Sequence, residues 1–473
     1  MTDRRPVIWW IRRDMRLSDN PALSAAVDAG GPVVPVFVLD EVVDAYGALP
    51  RWRMLLGAAK LADALEAKGS RLILRRGKAL ETLRALISET GARGVFWSRL
   101  VDPDARRRDE HVKAELKADG VEARSFPGHL LFEPWTVETK EGGPYKVFTP
   151  YWRVVCGREV GAPLATPTRM PAPETWPGSD RMRDWQPEAG MNRGAAVVAP
   201  HLTVGEHAAR GRLGGFISGK VEDYAALRDV PAAAGTSLLS ENLTHGEISV
   251  RTCWLSAIEA GRRGAEGAGA FQRELVWRDF AHHLAYHTPR LTTQNWREEW
   301  DSFPWSADAS RPEVIAWMRG RTGIRLVDAA MRELYVTGFM HNRARMIVAS
   351  YLTKHLMADW RIGQRWFAET LRDWDPASNA MGWQWVAGSG PDAAPYFRIF
   401  NPDGQAERFD PEAAYVDAWI AEGSAAPSAQ SLSYFDAVPR RWDLRADDAY
   451  PDPVVRLDAG RRRALDAYEA WRS

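Results

Sequence analysis

Two rhythms of apolar residues divide this chain. From residue 6 to about 130, short runs that are apolar almost throughout, PVIWWI, VVPVFVL, RLILR and GVFW, alternate with longer stretches such as RWRMLLGAAKLADALEAKG and DARRRDEHVKAELKADG. The short runs, rich in β-branched and aromatic side chains, predict buried strands; the longer stretches, with apolar positions at helical spacing, predict helices. That alternation makes a parallel sheet wrapped by helices. No G-x-G-x-x-G follows the first strand, so a dinucleotide fold of the usual kind is not supported.

Residues 131 to about 215 change character, with EGGPYKVFTPYW and the Pro-rich run APLATPTRMPAPETWPGSD. Such composition does not sustain long helices or strands, and it predicts a linker wrapping over the surface. From about 216 onward the strand-like runs disappear. FQRELVWRDFAHHLAYH, EVIAWMRG, LVDAAMRELYVTG and NRARMIVASYLTKHLMADW carry apolar residues at helical spacing. The expected fold is α/β plus all-α: a parallel-sheet domain over residues 1–130, a linker over 131–215 and an almost wholly helical domain over 216–473.

Composition narrows the function. A chain of 473 residues exceeds one hydrophobic core. Lys plus Arg balance Asp plus Glu at 62 each, so a nucleic-acid site has to come from local clustering of charge. Cys156 and Cys253 are too few for a disulfide framework, a four-cysteine zinc site or a cysteine-held iron–sulfur cluster, and a reducing cytoplasm is the expected setting. No apolar span reaches the length of a membrane helix, and no metal site is expected. Tryptophan is the unusual component, with 22 residues, most of them in the second half.

Two of these, Trp383 and Trp385, flank a single glutamine in NAMGWQWVAGSG. Successive helical side chains rotate by about 100°, so residues two apart point to nearly opposite sides and face different environments. The surrounding stretch, RDWDPASNAMGWQWVAGSGPDAAPYFRIFNPDGQAERFD, resembles the flavin-binding signature of the DNA photolyase and cryptochrome family. RRDMRLSDNPAL, YKVFTPYWR, GTSLLS, ELVWRDF and GFMHNRARM extend the likeness in order from residue 6 to 470. Within the family the chain is most like a bacterial cyclobutane pyrimidine dimer (class I-like) deoxyribodipyrimidine photolyase.

The resemblance implies a U-shaped FAD inside the helical domain. Tyr224, Thr236, Ser237, Leu238, Leu239 and Ser240 match the contacts to its phosphates, a task suited to hydroxyls and backbone amides. Leu238 stands where the family often has arginine. Arg345 and Asp373 match the ion pair beside the flavin ring, Asp375 a second acidic contact, and Asn379 the residue next to the ring nitrogen that changes protonation. An amide both donates and accepts, and so tolerates each redox state. Arg278 matches a position shared by cofactor and DNA.

The family flips the damaged dinucleotide into a pocket. Trp277 and Trp385 match its two aromatic walls, Glu274 and Asn342 the polar contacts and Met346 an apolar neighbour. Arg228, Arg278, Arg343 and Arg398, with Gln405, match positions near the DNA strand. Asn342 and Met346, where (6-4) photolyases carry histidines, point to cyclobutane dimers; Phe271 replaces a tryptophan of some members. Trp383, Trp360 and Trp305 match a chain of indoles that feeds electrons to light-excited oxidised flavin. The resemblance thus implies light-driven dimer repair by electron transfer from excited reduced FAD, with Asn379, Glu274 and the three indoles as the catalytic set. The alternatives are a cryptochrome photoreceptor or a (6-4) photolyase.

The resemblance implies an antenna chromophore on the N-terminal domain, methenyltetrahydrofolate or a deazaflavin and in some members a second flavin. Asp104 and Ala105 stand where folate binders have Asn-Glu. The expected partner is DNA containing pyrimidine dimers, bound by a monomer away from any membrane.

Overall fold

The computed structural model describes residues 4–191, 194–392, 396 and 398–473. Positions 393–395 and 397 of the flavin-binding signature lie outside the described residues. The N-terminal region is a five-stranded sheet in the order β3-β2-β1-β4-β5, formed by β1 (Val7–Ile11), β2 (Val33–Leu39), β3 (Ile73–Arg76), β4 (Gly94–Ser98) and β5 (Glu122–Phe126). Every pairing is parallel. The residues of β1, β2 and β4 are all buried, because helices cover both faces of the sheet. Trp9 and Phe37 pack into one face's core, and Trp10, Val36 and Trp97 into the other.

Two features depart from the apolar pattern. The strand β5, EARSF, lies at the sheet's edge, where partial exposure admits charged residues and no apolar run announces it. The stretch expected as a linker holds the helices Phe148–Val155 and Glu206–Gly219. The second of these carries Gly211, Gly214, Gly215 and Gly219, low in helix propensity, yet Ala209, Leu213 and Phe216 bury one face and hold it helical.

Beyond it the molecule is helical, with two large cores and a smaller one around Trp300 and Phe303 among the described residues. One large core gathers Trp317, Trp360 and Trp383; the other sits under the helix Ala268–His287 and includes Tyr151, Phe271 and Phe280. Arginines from the turn after β1 and from the helix Ala48–Glu66 join the sheet region to the helical one. Arg13 donates to the Thr244 carbonyl and to Asp375 (both 2.6 Å), Arg16 to the Gly246 carbonyl (3.0 Å), and Arg53 to Glu241 (2.6 Å) and Glu247 (2.7 and 2.8 Å). Arg13 and Arg53 are almost wholly buried, so each guanidinium requires these acceptors. No helix among the described residues is long and apolar enough to cross a membrane.

Candidate functional site

A cavity of about 390 Å3 opens inside the helical region. The helix Pro376–Ala387 forms one wall. It starts where Asp375 accepts the Ser378 N–H (2.8 Å) with proline at the first position, and ends at Gly388 in a left-handed conformation (φ 96°). Its Asn379 and Trp383 line the cavity. Tyr224, the run Thr236 to Ser240, and Glu274, Trp277 and Arg278 of the helix Ala268–His287 form other walls. Asn342, Arg345 and Met346 of the helix Asn342–Ser350, with Asp373 and Asp375, complete the predicted residues on the surface.

The polar groups here are held at defined positions. Arg345 Nη2 reaches both Asp373 oxygens (2.8 and 3.0 Å), while its Nε donates to the Met340 carbonyl (2.8 Å). Asn379 Nδ2 donates to the Gln364 carbonyl (3.0 Å), which fixes the amide plane and leaves Oδ1 for a ligand. Burial alone would raise the Asp375 carboxyl, but His282 Nε2 at 3.2 Å and Arg13 at 2.6 Å reverse this and hold it well below the usual carboxylate range. Burial pushes His341, also on the wall, down to about 4. Arg278 gives its donors to the His129 carbonyl (2.8 Å) and ring (2.9 Å). Leu238 adopts φ 54°, and its carbonyl accepts from Arg212 (2.8 Å), so an arginine from the helix Glu206–Gly219 reaches the segment where the family's arginine is replaced.

Glu274 is hydrogen-bonded to Arg228, and Trp277 stacks on Phe148 at 3.6 Å between ring centres and 7° between planes. Arg228 stands behind Glu274 and off the cavity wall. Arg343 is likewise off the wall, paired with Asp229 (2.8 Å) and 4.4 Å over the Phe409 ring. Arg398 is exposed, and Gln405 lies in the helix Pro402–Phe409. Trp383 and Trp385 do part company. Trp383 is buried on the wall, against Phe367 (5.0 Å) and Trp317 (6.1 Å), whereas the half-buried Trp385 packs against the surrounding core outside the wall. Trp360 and Trp305 also lie off the wall. The Trp360 indole donates to Asn295 Oδ1 (2.8 Å) and the Trp305 indole to the Thr353 carbonyl (2.9 Å).

Phe271 lines the cavity and packs on Phe216 (4.7 Å). Motif reading missed other wall residues, among them Thr244, Phe339, Phe367, Trp374, Ser378 and Gly382. Helical spacing from Asn379 and Trp383 was a usable signal for Ser378, Gly382 and Val386, which share their face. The others come from distant segments. The indole N–H groups of Trp374 and Trp383 and Nε2 of His341 are buried without a protein partner.

A second cavity, of about 250 Å3, lies at the ends of β4 and β5 between Trp97, Trp135 and Tyr286, with Arg99, Arg106 and Lys113 at its margin. Asp104 and Ala105 begin the neighbouring helix Pro103–Ala118 and are not on its wall.

The family model for the FAD binding domain of DNA photolyase matches residues 271–470, and that for DNA photolyase matches residues 7–174. A deoxyribodipyrimidine photo-lyase of Agrobacterium fabrum is 44% identical over 470 residues, 98% of each chain. Cryptochrome-1 of Arabidopsis thaliana is 33% identical over 481 residues, covering 97% of this chain and 70% of that one. Among solved structures, a bacterial class III photolyase from Agrobacterium tumefaciens superposes with a TM-score of 0.91 at 42% identity, covering 100% of this chain and 98% of that one. An archaeal photolyase from Sulfolobus tokodaii with two FAD molecules gives 0.80 at 28%, covering 98% and 100%.

Proposed function

This chain belongs to the DNA photolyase and cryptochrome family, and from that premise we propose that it repairs cyclobutane pyrimidine dimers in DNA with light. One observation carries the proposal: the residues matched to flavin (Arg345, Asp373, Asn379) and those matched to the dimer (Glu274, Trp277, Asn342, Met346) line the same cavity. Donor and acceptor of an electron need that closeness and no covalent help from the protein.

The walls fit FAD. Hydroxyls of Thr236, Ser237 and Ser240 on the wall suit its phosphates, and Asn379, its amide nitrogen fixed on the Gln364 carbonyl, keeps Oδ1 for a donor on the ring. At Gly382 an added Cβ would meet nothing within 4 Å, so the backbone leaves room for a ring system. When bound, FAD supplies light-driven electron donation to the dimer and takes the electron back. The chain's own residues do the rest. Asn379 holds a hydrogen-bonding group at a fixed orientation, Arg345 and Asp373 balance each other's charge, and Trp277, braced by Phe148, offers a flat face to an extrahelical base.

Outside the cavity, we read Arg343, which pairs with Asp229, and the exposed Arg398 as cations for the flanking phosphates, with Arg228 beside Glu274. Gln405 belongs with this set, and Trp385 forms the second dimer wall once DNA is bound. The aromatic, cation-rimmed second cavity is the place for an antenna chromophore. The division at residues 130 and 215, action as a monomer and a cytoplasmic setting belong to the same reading.

The test illuminates purified protein with a dimer-containing oligonucleotide and follows recovery of thymine absorbance. Repair requiring both light and bound FAD is expected, and no recovery with fully reduced, FAD-loaded protein would refute the proposal. Trp383→Phe and Trp385→Phe separate the two faces: the first should abolish photoreduction of oxidised FAD, the second weaken dimer repair.

A further inference from the structure

At the Trp305 end of the proposed electron route, a second aromatic group begins. The Trp305 ring stacks on Trp300 with 5.5 Å between centres and 21° between planes. Trp300 in turn lies 4.7 Å from Trp471, 5.4 Å from Tyr396 and 6.1 Å from Tyr468. These rings share one small core with Phe303. The two groups are also linked through polar atoms: Asn295 accepts from the Trp360 indole (2.8 Å) and donates to Asp301 (2.7 Å), next to Trp300 in sequence.

Packing accounts for rings in contact. It does not account for the charges around them. Glu298, Glu299 and Asp301 neighbour Trp300 in sequence in the turn Glu298–Ser302, and Arg290 pairs with Glu298 and Asp301. On the far side, Lys354 Nζ stands 5.2 Å over the Tyr396 ring, donating to the Arg398 carbonyl (2.8 Å), and Arg472 lies 6.0 Å over Tyr468. A ring that has lost an electron is a cation, favoured by nearby carboxylates and opposed by an ammonium or guanidinium. Among the described residues the cations stand over the tyrosine rings, Arg472 on Tyr468 and Lys354, when protonated, on Tyr396, and not over Trp300 or Trp471, so the indoles are the easier rings to oxidise.

We propose that Trp300 and Trp471 extend the electron route, drawing the oxidised state off Trp305 and holding it far from the flavin until an external thiol refills it. Trp300 gives one electron to oxidised Trp305, which is restored. Trp471 then gives one to Trp300, and a thiolate gives one to Trp471, becoming a thiyl radical. The Trp471 indole keeps its proton throughout, its N–H donating to Ser302 Oγ at 2.9 Å. Trp471 is half-exposed, which gives the thiol access, whereas Trp300 is buried. This inference rests on reading Trp383, Trp360 and Trp305 as the inner route.

The test flashes the FAD-bound, oxidised protein with and without dithiothreitol, following tryptophan-radical absorption and its paramagnetic resonance. Trp300→Phe and Trp471→Phe are each expected to shorten the radical's lifetime several-fold and to reduce the thiol-dependent yield of reduced FAD. FAD content and unfolding midpoint are checked in both, and Trp471→Phe, at the surface, stands in if Trp300→Phe disturbs the core. Wild-type lifetimes in folded variants, with the radical abolished in Trp383→Phe, would overturn the extension and leave the inner route standing. A radical that persists in Trp383→Phe would overturn the inner route itself.

Discussion

Two polar clusters sit at the heart of this molecule, and they are built on opposite plans. At the carboxyl ends of β1 and β4, where a doubly wound sheet commonly receives its ligand, Arg12 pairs with Asp109 (3.0 Å), Arg108 pairs with both Asp109 (2.8 Å) and Asp40 (2.9 Å), and both guanidinium groups lie over Trp10 (4.1 and 4.9 Å). Each of these charges faces its opposite, although Arg12 Nε and the Trp10 and Trp97 indoles keep no protein partner and Asp109 also borders the second cavity. In the helical region the cavity wall keeps buried N–H groups with no protein partner. The difference lies in the charges: ions paired with one another serve the fold, whereas the cavity wall presents its polar groups to open space.

The largest effect should come from opening the closed cluster. Arg108→Ala strands Asp40 and weakens the neutralisation of Asp109, and is expected to cost about 3–5 kcal/mol of stability. Urea unfolding measures this, and FAD should stay bound in the native protein at low denaturant. An equal loss of FAD would mean that the two clusters are one unit.

Next comes the seat of Trp383. In the helix Trp360–Thr370, a Cβ at Gly363 would fall 2.0 Å from the Trp383 ring, so Gly363→Ala is expected to cost about 1–3 kcal/mol. It should also lower photoreduction of oxidised FAD, because the indole is displaced. Unchanged photoreduction would show that the indole's placement is not critical.

A third prediction concerns Lys354, whose ammonium is pushed down to about 7 by burial and by Arg398. The ordinary value is about 10.4, so between about pH 7 and 10 the unfolded chain binds more protons and stability rises with pH. Below that window the full cost of the buried ammonium is present. Lys354→Met should therefore gain on the wild type most at about pH 6 and least at about pH 10. Parallel pH curves for the two proteins would refute the assignment.

The smallest effect belongs to the open site. Gly382→Ala adds a methyl group where nothing lies within 4 Å, and should stabilise the helix by about 0.5–1 kcal/mol in FAD-free protein while weakening FAD retention. Retention equal to wild type would remove Gly382 from the cofactor's cradle.

How far the sequence foretold this difference depends on how local each signal was. The short apolar runs announced β1 to β4, and Trp383 and Trp385 are read on a helix, which Pro376–Ala387 is. The strand β5 and the glycine-rich helix Glu206–Gly219 stayed hidden because tertiary burial, not propensity, decides them. Within the site, the motif residues on the wall were legible. That Asp375 would be held by Arg13, more than three hundred residues away (a separation of 362), and that Arg278 would turn to His129 were not. Those partners meet only through the packing of the sheet region on the helical one.

That packing sets a limit on exchange between relatives. Arg13, Arg16 and Arg53 belong to the first hundred residues, and although Arg16 also donates to Asp19 and Gly128 and Arg53 to Thr203, the groups in the helical region that accept their hydrogen bonds belong to the segment from Glu241 to Glu247 and to Asp375. A recombinant that joins this sheet region to another protein's helical region buries guanidinium groups against whatever that protein carries there. The unit of inheritance is therefore the matched set: Arg13 with Thr244 and Asp375, and Arg53 with Glu241 and Glu247. A crossover between the two regions keeps its buried guanidinium groups paired only where the second parent supplies the same acceptors.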